Sequence, residues 1–351
     1  MVSIAMATYN GEKYLKEQLD SLLNQTYSDL EIIICDDCSH DSTSQILHEY
    51  AEKDSRIKLF FNEKNLGFKK NFEKAISLCN GEYIALSDQD DIWELNKIET
   101  ELNAIGNNDF VFHNAELIAG NDIPLNKTAW ELYHFSDEPK DANDVFRRLI
   151  PPQGNFVQGS TMLAKTDFIK GCLPIPEGFK YHDWWFALNS TLHNGFIGLS
   201  DCLIKYRRYA EQITATKTNE DKKYLFFKNT SWFSDIWEKA EKNLHLFSII
   251  QELPLDSKRA KIVHDLQKYY KHTQINYVDF YVFIYFAVHY KDFFPNQKSA
   301  LKKYEAIFHK FCSMIGWFIF RPHLRSLQRE YAESIRNAEN LNKEQNMEIA
   351  K

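Results

Sequence analysis

At 351 residues the chain can bury a substantial core and has the length of two domains. Its 44% hydrophobic and 26% charged residues exclude wholesale disorder. The formal net charge of −7 argues against nucleic acid as the main partner. That total hides an asymmetry: residues 1–215 hold 20 Lys+Arg against 33 Asp+Glu, and residues 216–351 hold 22 against 16. An acidic front and a basic, aromatic back read as two modules, 1–215 and 216–351, joined in the polar stretch Thr214–Asp221.

Cysteines 35, 38, 79, 172, 202 and 312 show no disulfide spacing. Cys35 and Cys38 form C-x-x-C, but no second pair exists to complete a zinc site. They read as reduced thiols of a cytoplasmic protein. Met1–Tyr9 enters a strand with no basic flank, unlike a signal peptide. No apolar run reaches the ~18–20 residues of a spanning helix.

In chain order, Val2–Ala7 predicts a strand ending at a Thr8–Gly11 turn. Apolar residues at 15, 19, 22 and 23 predict an amphipathic helix over Tyr14–Leu23. Leu30–Cys35 predicts a second strand ending at Asp36 and Asp37, and Thr43–Glu52 a second helix. Ile57–Phe61 predicts a third strand. The Phe72, Ala75, Ile76, Cys79 stripe predicts a helix over Phe68–Cys79, and Tyr83–Leu86 a fourth strand. Such alternation is the signature of a parallel sheet flanked by helices.

From Asp109 the pattern loosens. Phe110–His113 and Ala115–Ala119 read as strands, Asn121–Asp144 as loop-rich, and Gly159–Ala164 as a strand or tight bend. Lys180–Asn194 predicts a helix, and Gly195–Leu199 and Cys202–Tyr206 two closing strands. Beyond residue 216 only helical patterns occur. The apolar stretches Tyr277–Tyr290 and Phe308–Phe320 are too short to cross a bilayer. They read as buried helices or, in a minority reading that the basic balance favours, as a peripheral membrane surface.

The most informative stretch is Gly81–Trp93, GEYIALSDQDDIW. An apolar run bounded by Gly81 reads as a buried parallel strand, and Asp88, Asp90 and Asp91 would emerge at its C-terminal edge, where open α/β sheets bind ligands. Neighbouring carboxylates repel, and a hard divalent cation with diphosphate oxygens would offset the cost. The alternative is an acidic turn capping a helix that starts near Ile92.

Taken with Ser3–Asn10, Asp36-Asp37, Asn65-Leu66-Gly67 and His182-Asp183-Trp184-Trp185 in order, this stretch resembles the family 2 glycosyltransferases. These are inverting enzymes of the GT-A fold, an α/β fold with a mostly parallel sheet. The resemblance covers roughly residues 1–210. The SDQDDIW and HDWW forms look like bacterial rhamnosyltransferase-type enzymes of surface-polysaccharide assembly. The C-terminal part is expected to be all-α, serving acceptor, membrane-surface or oligomer contacts such as a homodimer.

The resemblance implies a UDP- or dTDP-sugar donor, a saccharide or lipid-linked acceptor, and Mn²⁺ or Mg²⁺. Thr8, Tyr9 and Asn10 would face the nucleotide, and Asp37 would accept the base N3–H. Asn65, Lys69, Lys70 and Gln89 would join the nucleotide-sugar site, the lysines near the diphosphate. Asp88 would meet the ribose or the metal, and Asp90 would ligate the metal, with Asp91 as a support or helix cap. Asp183, at a helix start, would be the general base, beside the acceptor-side residues His182, Trp184 and Trp185. In relatives Tyr-Arg-x-His often follows the last strand; here it is Tyr206-Arg207-Arg208-Tyr209. Tyr209, a poor ligand for a hard cation at neutral pH, takes the His position, and Arg207 or Arg208 would grip the diphosphate instead. The alternative reading is a catalytically inactive sugar-nucleotide-binding or scaffold protein. A Rossmann oxidoreductase is disfavoured because no G-x-G-x-x-G follows the first strand.

Overall fold

The computed structural model describes residues 1–132, 142–151, 155–209 and 232–274. The first four strands, β1 (Val2–Thr8), β2 (Leu30–Asp36), β3 (Ile57–Phe61) and β4 (Tyr83–Ser87), alternate with helices α1 (Leu15–Leu23), α2 (Thr43–Ala51) and α3 (Phe68–Leu78). They pair in parallel in the order β3-β2-β1-β4. Every residue of β2 is buried, Glu31 and Asp36 included, as in a strand covered on both faces. The helices bury the stripes that their spacing predicts: Leu15, Leu19 and Leu22 on α1, and Phe72, Ala75 and Ile76 on α3.

The chain continues through β5 (Ile92–Trp93), α4 (Lys97–Ile105), β6 (Phe110–Ala119), β7 (Pro124–Thr128) and the short α5 (Ala129–Leu132). Then come α6 (Ala142–Leu149), a 3₁₀ turn at Gly159–Thr161, β8 (Met162–Lys165), α7 (Thr166–Gly171), α8 (His182–Ser190) and β9 (Phe196–Arg208). Here the sheet becomes mixed. β8 inserts antiparallel between β4 and β6, β9 runs parallel to β6, and β5 and β7 add antiparallel to β9 and β6. The result is an α/β sheet, parallel on one side and mixed on the other.

Several local expectations change. The two strands expected over 110–119 are one, as are the two over 195–206, with register shifts near His113–Glu116 absorbing the break. No helix starts at Ile92: Ile92 and Trp93 pair with Lys205 and Ile204, and the helix begins at Lys97. Tertiary pairing with β9 overrides the local pattern here. Within the loop-rich stretch 121–144, β7 and α5 form on its described part.

Gly81 has a steric reason. A Cβ there would lie 2.6 Å from the Ser3 backbone nitrogen, and the Gly81 N–H donates to Ser3 Oγ at 2.7 Å. Only glycine lets the chain enter β4 this close to β1.

By contacts the chain divides into Met1–Ala215 with Gln251–Arg259, and Thr216–Ile250 with Ala260–Lys351. Of the second unit the described part is helical. Helices Trp232–Gln251 and Ser257–Gln274 bury Leu246, Phe247, Ile250, Ile262, Val263 and Leu266, and the Phe247 and Tyr270 rings lie 5.8 Å apart. The stretches Thr214–Asp221, Tyr277–Tyr290 and Phe308–Phe320 and the tail from Glu330 lie outside the described residues. No described helix is long and apolar enough to cross a membrane. The five described cysteines are free thiols.

Beneath β5, Lys97 and Glu101 are fully buried, with Nζ 2.8 Å from Oε2 and 3.9 Å from the Trp93 ring centroid. Burial pushes the Lys97 ammonium below its ordinary value and the Glu101 carboxyl up to about 7, and each partner opposes the other's shift. Lys97→Ala should therefore cost about 3–5 kcal/mol by leaving Glu101 buried without its partner, while Lys97→Met with Glu101→Leu should recover most of it. Urea unfolding of the three proteins checks this, and an unchanged midpoint for Lys97→Ala would contradict it.

Candidate active site

Parallel register sets Thr8 opposite Asp36 and Met6 opposite Ser87, so β1, β2 and β4 deliver their final residues to one edge. Thr8 Oγ1 donates to Asp36 Oδ1 at 2.9 Å, and Asp36 also accepts the Ser39 N–H and hydroxyl. Asp36 thus closes the turn after β2. Asp37 does different work: its carboxylate accepts Asn62 Nδ2 at 2.8 Å, the Leu66 N–H at 2.8 Å and the Gly67 N–H at 2.9 Å. Three of the roughly four lone pairs of a carboxylate are used, and one remains for a further donor. Asn65 Oδ1 accepts the same Gly67 N–H, and Gly67 at φ 82° turns the chain into α3.

Tyr9 presents a 43% exposed side chain at this edge. Its peptide is clamped by Gln89, whose Oε1 accepts the Tyr9 N–H at 2.8 Å and whose Nε2 donates to the Tyr9 carbonyl at 3.0 Å. Gly11 lies so close that a Cβ would fall 2.3 Å from Gln89 Oε1. Asn10, at φ 48°, donates its N–H to Ser39 Oγ and accepts the His40 N–H on Oδ1.

The acidic loop lies between β4 and β5, where β9 clamps it. Asp91 is fully buried and accepts the Arg207 N–H at 3.1 Å, so it caps no helix. Desolvation, followed by the charges of Asp90 and Asp88, holds its carboxyl well above the usual range. The Arg207 guanidinium, also fully buried, donates Nε to the Asp90 carbonyl at 2.8 Å and Nη2 to Glu17 at 2.7 Å, and pairs Nη1 with Asp122. It stacks 4.3 Å from the Tyr14 ring centroid. Tyr209 donates its hydroxyl to Asp90 Oδ2 at 2.6 Å, and its own ionisation is pushed well up by burial and by Asp90.

Asp88 is pushed up to about 7 by desolvation and then by the charges of Asp90 and Asp183. Among the described residues no group of three or more His, Cys, Asp or Glu side chains would hold a metal ion. The hard oxygens of Asp88 and Asp90 would nonetheless suit Mg²⁺ or Mn²⁺.

Asp183 lies in the first turn of α8, at the same end of the site. Oδ1 accepts Asn155 Nδ2 at 2.8 Å and the Trp184 N–H at 2.7 Å; Oδ2 accepts the Gly159 N–H at 3.0 Å. Desolvation nevertheless wins, pushing its carboxyl up to about 7 against these donors. Such a group is poised to take a proton near neutrality.

Other expected residues occupy different places. Arg207 is committed to the acidic loop, with Nε and both terminal nitrogens engaged, so it is not placed to grip a diphosphate. Arg208 lies with its guanidinium 5.9 Å from the Tyr206 ring centroid. Lys69 Nζ donates to the carbonyls of Pro176 and Phe179, and Lys70 pairs with Glu73, so both ammoniums are engaged within the protein. His182 is a core residue, 6% exposed and 4.3 Å from the Phe72 ring, and desolvation lowers it to about 3. Trp185 is buried with its indole N–H on the Cys172 carbonyl. Trp184, half-buried, donates to the Leu149 carbonyl and leaves part of its ring exposed.

The sequence offered no signal for Asn155 or Gly159, which lie where periodicity is lost. Tyr209 stood out only as a replacement for His.

Replacing Arg207 should test the clamp. Arg207→Lys keeps one charge but cannot form the fork, and should destabilise the chain by about 3–5 kcal/mol, nearly as much as Arg207→Ala. Denaturant midpoints would show it; a near-native Arg207→Lys would mean that charge alone suffices.

The chain is similar to known proteins. Residues 3–169 match the family described as Glycosyl transferase family 2. Glycosyltransferase GlyG of Streptococcus pneumoniae serotype 4 is 31% identical over 289 residues, which cover 78% of this chain and 88% of that protein. The putative teichuronic acid biosynthesis glycosyltransferase TuaG of Bacillus subtilis is 29% identical over 232 residues, 64% of this chain and 86% of the relative. An Escherichia coli UDP-Glc:alpha-D-GlcNAc-diphosphoundecaprenol beta-1,3-glucosyltransferase, WfgD, is 38% identical over 125 residues, 35% of this chain and 49% of its own. Among solved structures, S. aureus TarS 1–349 in complex with UDP-GlcNAc superposes with a TM-score of 0.52 at 19% identity, covering 83% of this chain and 81% of TarS, a likeness of GT-A fold. With the acidic edge and Asp183 on that fold, the chain belongs to glycosyl transferase family 2 and is a glycosyltransferase.

Proposed function

We propose that this enzyme moves a sugar from a UDP- or dTDP-sugar to a saccharide or lipid-linked acceptor, with inversion, in the synthesis of a cell-surface polysaccharide such as capsule or O-antigen. The observation that carries the reading is Asp183. Its carboxyl has an affinity for protons matched to neutral pH, lies near enough to Asp88 to raise its pKa, and stands at the sheet edge where donors bind. The names of TuaG and WfgD, one in teichuronic acid biosynthesis and one acting on a diphosphoundecaprenol acceptor, support the pathway class.

Asp183 takes the proton of the acceptor hydroxyl as that oxygen attacks the anomeric carbon. The bond to the nucleoside diphosphate breaks on the opposite face, which inverts the centre. Asp37 turns its remaining lone pair to the N3–H of uracil or thymine, and Tyr9 covers the base. The exposed part of the Trp184 ring offers an apolar wall to a sugar. Asp90 and Asp88 would hold Mn²⁺ or Mg²⁺, which when bound offsets the charge gathering on the departing diphosphate. Tyr209 keeps one lone pair of Asp90 occupied. That contact is also the one observation favouring the second reading, an inactive sugar-nucleotide-binding scaffold. A lipid-linked acceptor would bring the enzyme to the cytoplasmic face of the membrane.

A screen of UDP-, dTDP- and GDP-sugars with and without Mn²⁺, read as nucleotide release and as thermal shift, separates the two. UDP binding without turnover of any donor would establish the scaffold reading. For the enzyme, kcat/KM should rise with pH through about 7, because the base must be ionised. Asp183→Asn should lower turnover by about 10²–10⁴-fold while UDP still binds. A flat profile, or parallel loss of UDP binding, would count against Asp183 as the base. Asp90→Ala should weaken UDP binding in Mn²⁺ and leave it unchanged in EDTA; equal weakening in both would remove Asp90 from the cation site.

A further inference from the structure

The partners of Asp183 are distributed unevenly over its two oxygens. Oδ1 accepts two hydrogen bonds, from Asn155 Nδ2 and the Trp184 N–H, and Oδ2 accepts one, from the Gly159 N–H. A carboxylate oxygen offers about two lone pairs. Oδ1 is therefore filled, and Oδ2 keeps one position open. The donors come from distinct elements: Trp184 is the next residue of α8, Gly159 opens the 3₁₀ turn before β8, and Asn155 lies in the loop leading to that turn.

Asn155 also organises its own loop. Nδ2 donates to the Val157 carbonyl at 2.7 Å, and Oδ1 accepts the Val157 N–H at 3.1 Å. One amide thus closes the 155–157 turn and crosses to Asp183. Behind it, the buried His182 ring packs so tightly on Gly159 that a Cβ there would lie 2.5 Å from Nε2. That close approach brings the Gly159 N–H to Oδ2.

We propose that Asn155 is a positioning residue for the transfer: by filling the last lone pair of Asp183 Oδ1 it fixes the carboxylate and leaves Oδ2 as the atom that receives the acceptor proton. The proposal rests on the reading of Asp183 as the base. The acceptor hydroxyl then approaches from the side of Oδ2 that the Gly159 N–H leaves open. Asn155 touches neither substrate nor the transferred proton, and it acts only through Asp183.

Two replacements separate this role from loop closure. Asn155→Ala removes both sets of bonds. Asn155→Asp keeps an oxygen to accept the Val157 N–H but loses the donor to Asp183 and sets a like charge beside it. Both should lower kcat by about 10²-fold with the KM for the nucleotide-sugar nearly unchanged, since a misplaced catalytic group slows chemistry more than binding. Asn155→Asp with wild-type kcat would mean that closing the turn is all Asn155 does, and would overturn the proposal. In the Asp183→Asn background, Asn155→Ala should add no further loss, because its effect runs through the missing carboxylate; additive losses would overturn it too. If Asp183→Asn itself retains full turnover, the reading of the base fails, a result distinct from a normal Asn155→Asp beside an inactive Asp183→Asn. Independently of turnover, a crystal structure of full-length Asn155→Ala should show Asp183 rotated off the Gly159 N–H. A carboxylate left in place would refute the positioning role.

Discussion

The acidic edge depends on one buried guanidinium. Arg207 reaches the Asp90 carbonyl, Glu17 on α1 and Asp122 in the β6–β7 turn, while its backbone N–H holds Asp91. A lysine ammonium presents a point charge and could not meet these directions together; the planar fork can. Because β9 pairs with β5 and β6, the clamp ties the acidic loop to both sides of the sheet. The loop that carries three carboxylates within four residues is thereby fixed in place.

The acidic residues of this edge are held in different ways. Asp91 is buried and backed by the Arg207 N–H, and Asp90 is capped by Tyr209, while Asp88 and Asp183 are each raised to about 7. An edge of this kind favours a ligand that brings positive charge. The structure also separates two uses of acidic residues that look alike in the sequence. Asp36 and Asp37 are neighbours, yet Asp36 is consumed by the turn at Ser39 and Asp37 by the 62–67 loop, which leaves one lone pair at the sheet edge.

Much of the fold was legible in the residues. The buried runs of β1, β2 and β4 are continuous blocks between turn residues and the stripes of α1 and α3 have a period of 3.6, patterns that local sequence carries directly. The break at Ile92 was misread because a two-residue strand has no period; it exists only through its pairing with Lys205 and Ile204. Likewise the strands over 110–119 and 196–208 looked divided because polar residues interrupt them, although irregular register lets the ladder continue.

By itself, the sequence determined the parallel half of the sheet, the family, and the placing of Thr8, Asp37, Asp88, Asp90 and Asp183 at strand ends and a helix start. Those features follow from local apolar patterning and from short motifs whose order is linear. Only the tertiary structure decided what each polar side chain is for. Arg207 and Lys69 looked like phosphate ligands and are engaged within the fold, His182 looked like an acceptor contact and is core, and Asn155, which carried no signal, bonds the Asp183 carboxylate. A buried donor takes whichever acceptor the fold brings within about 3 Å, and residues more than twenty positions apart carry no local mark of that meeting.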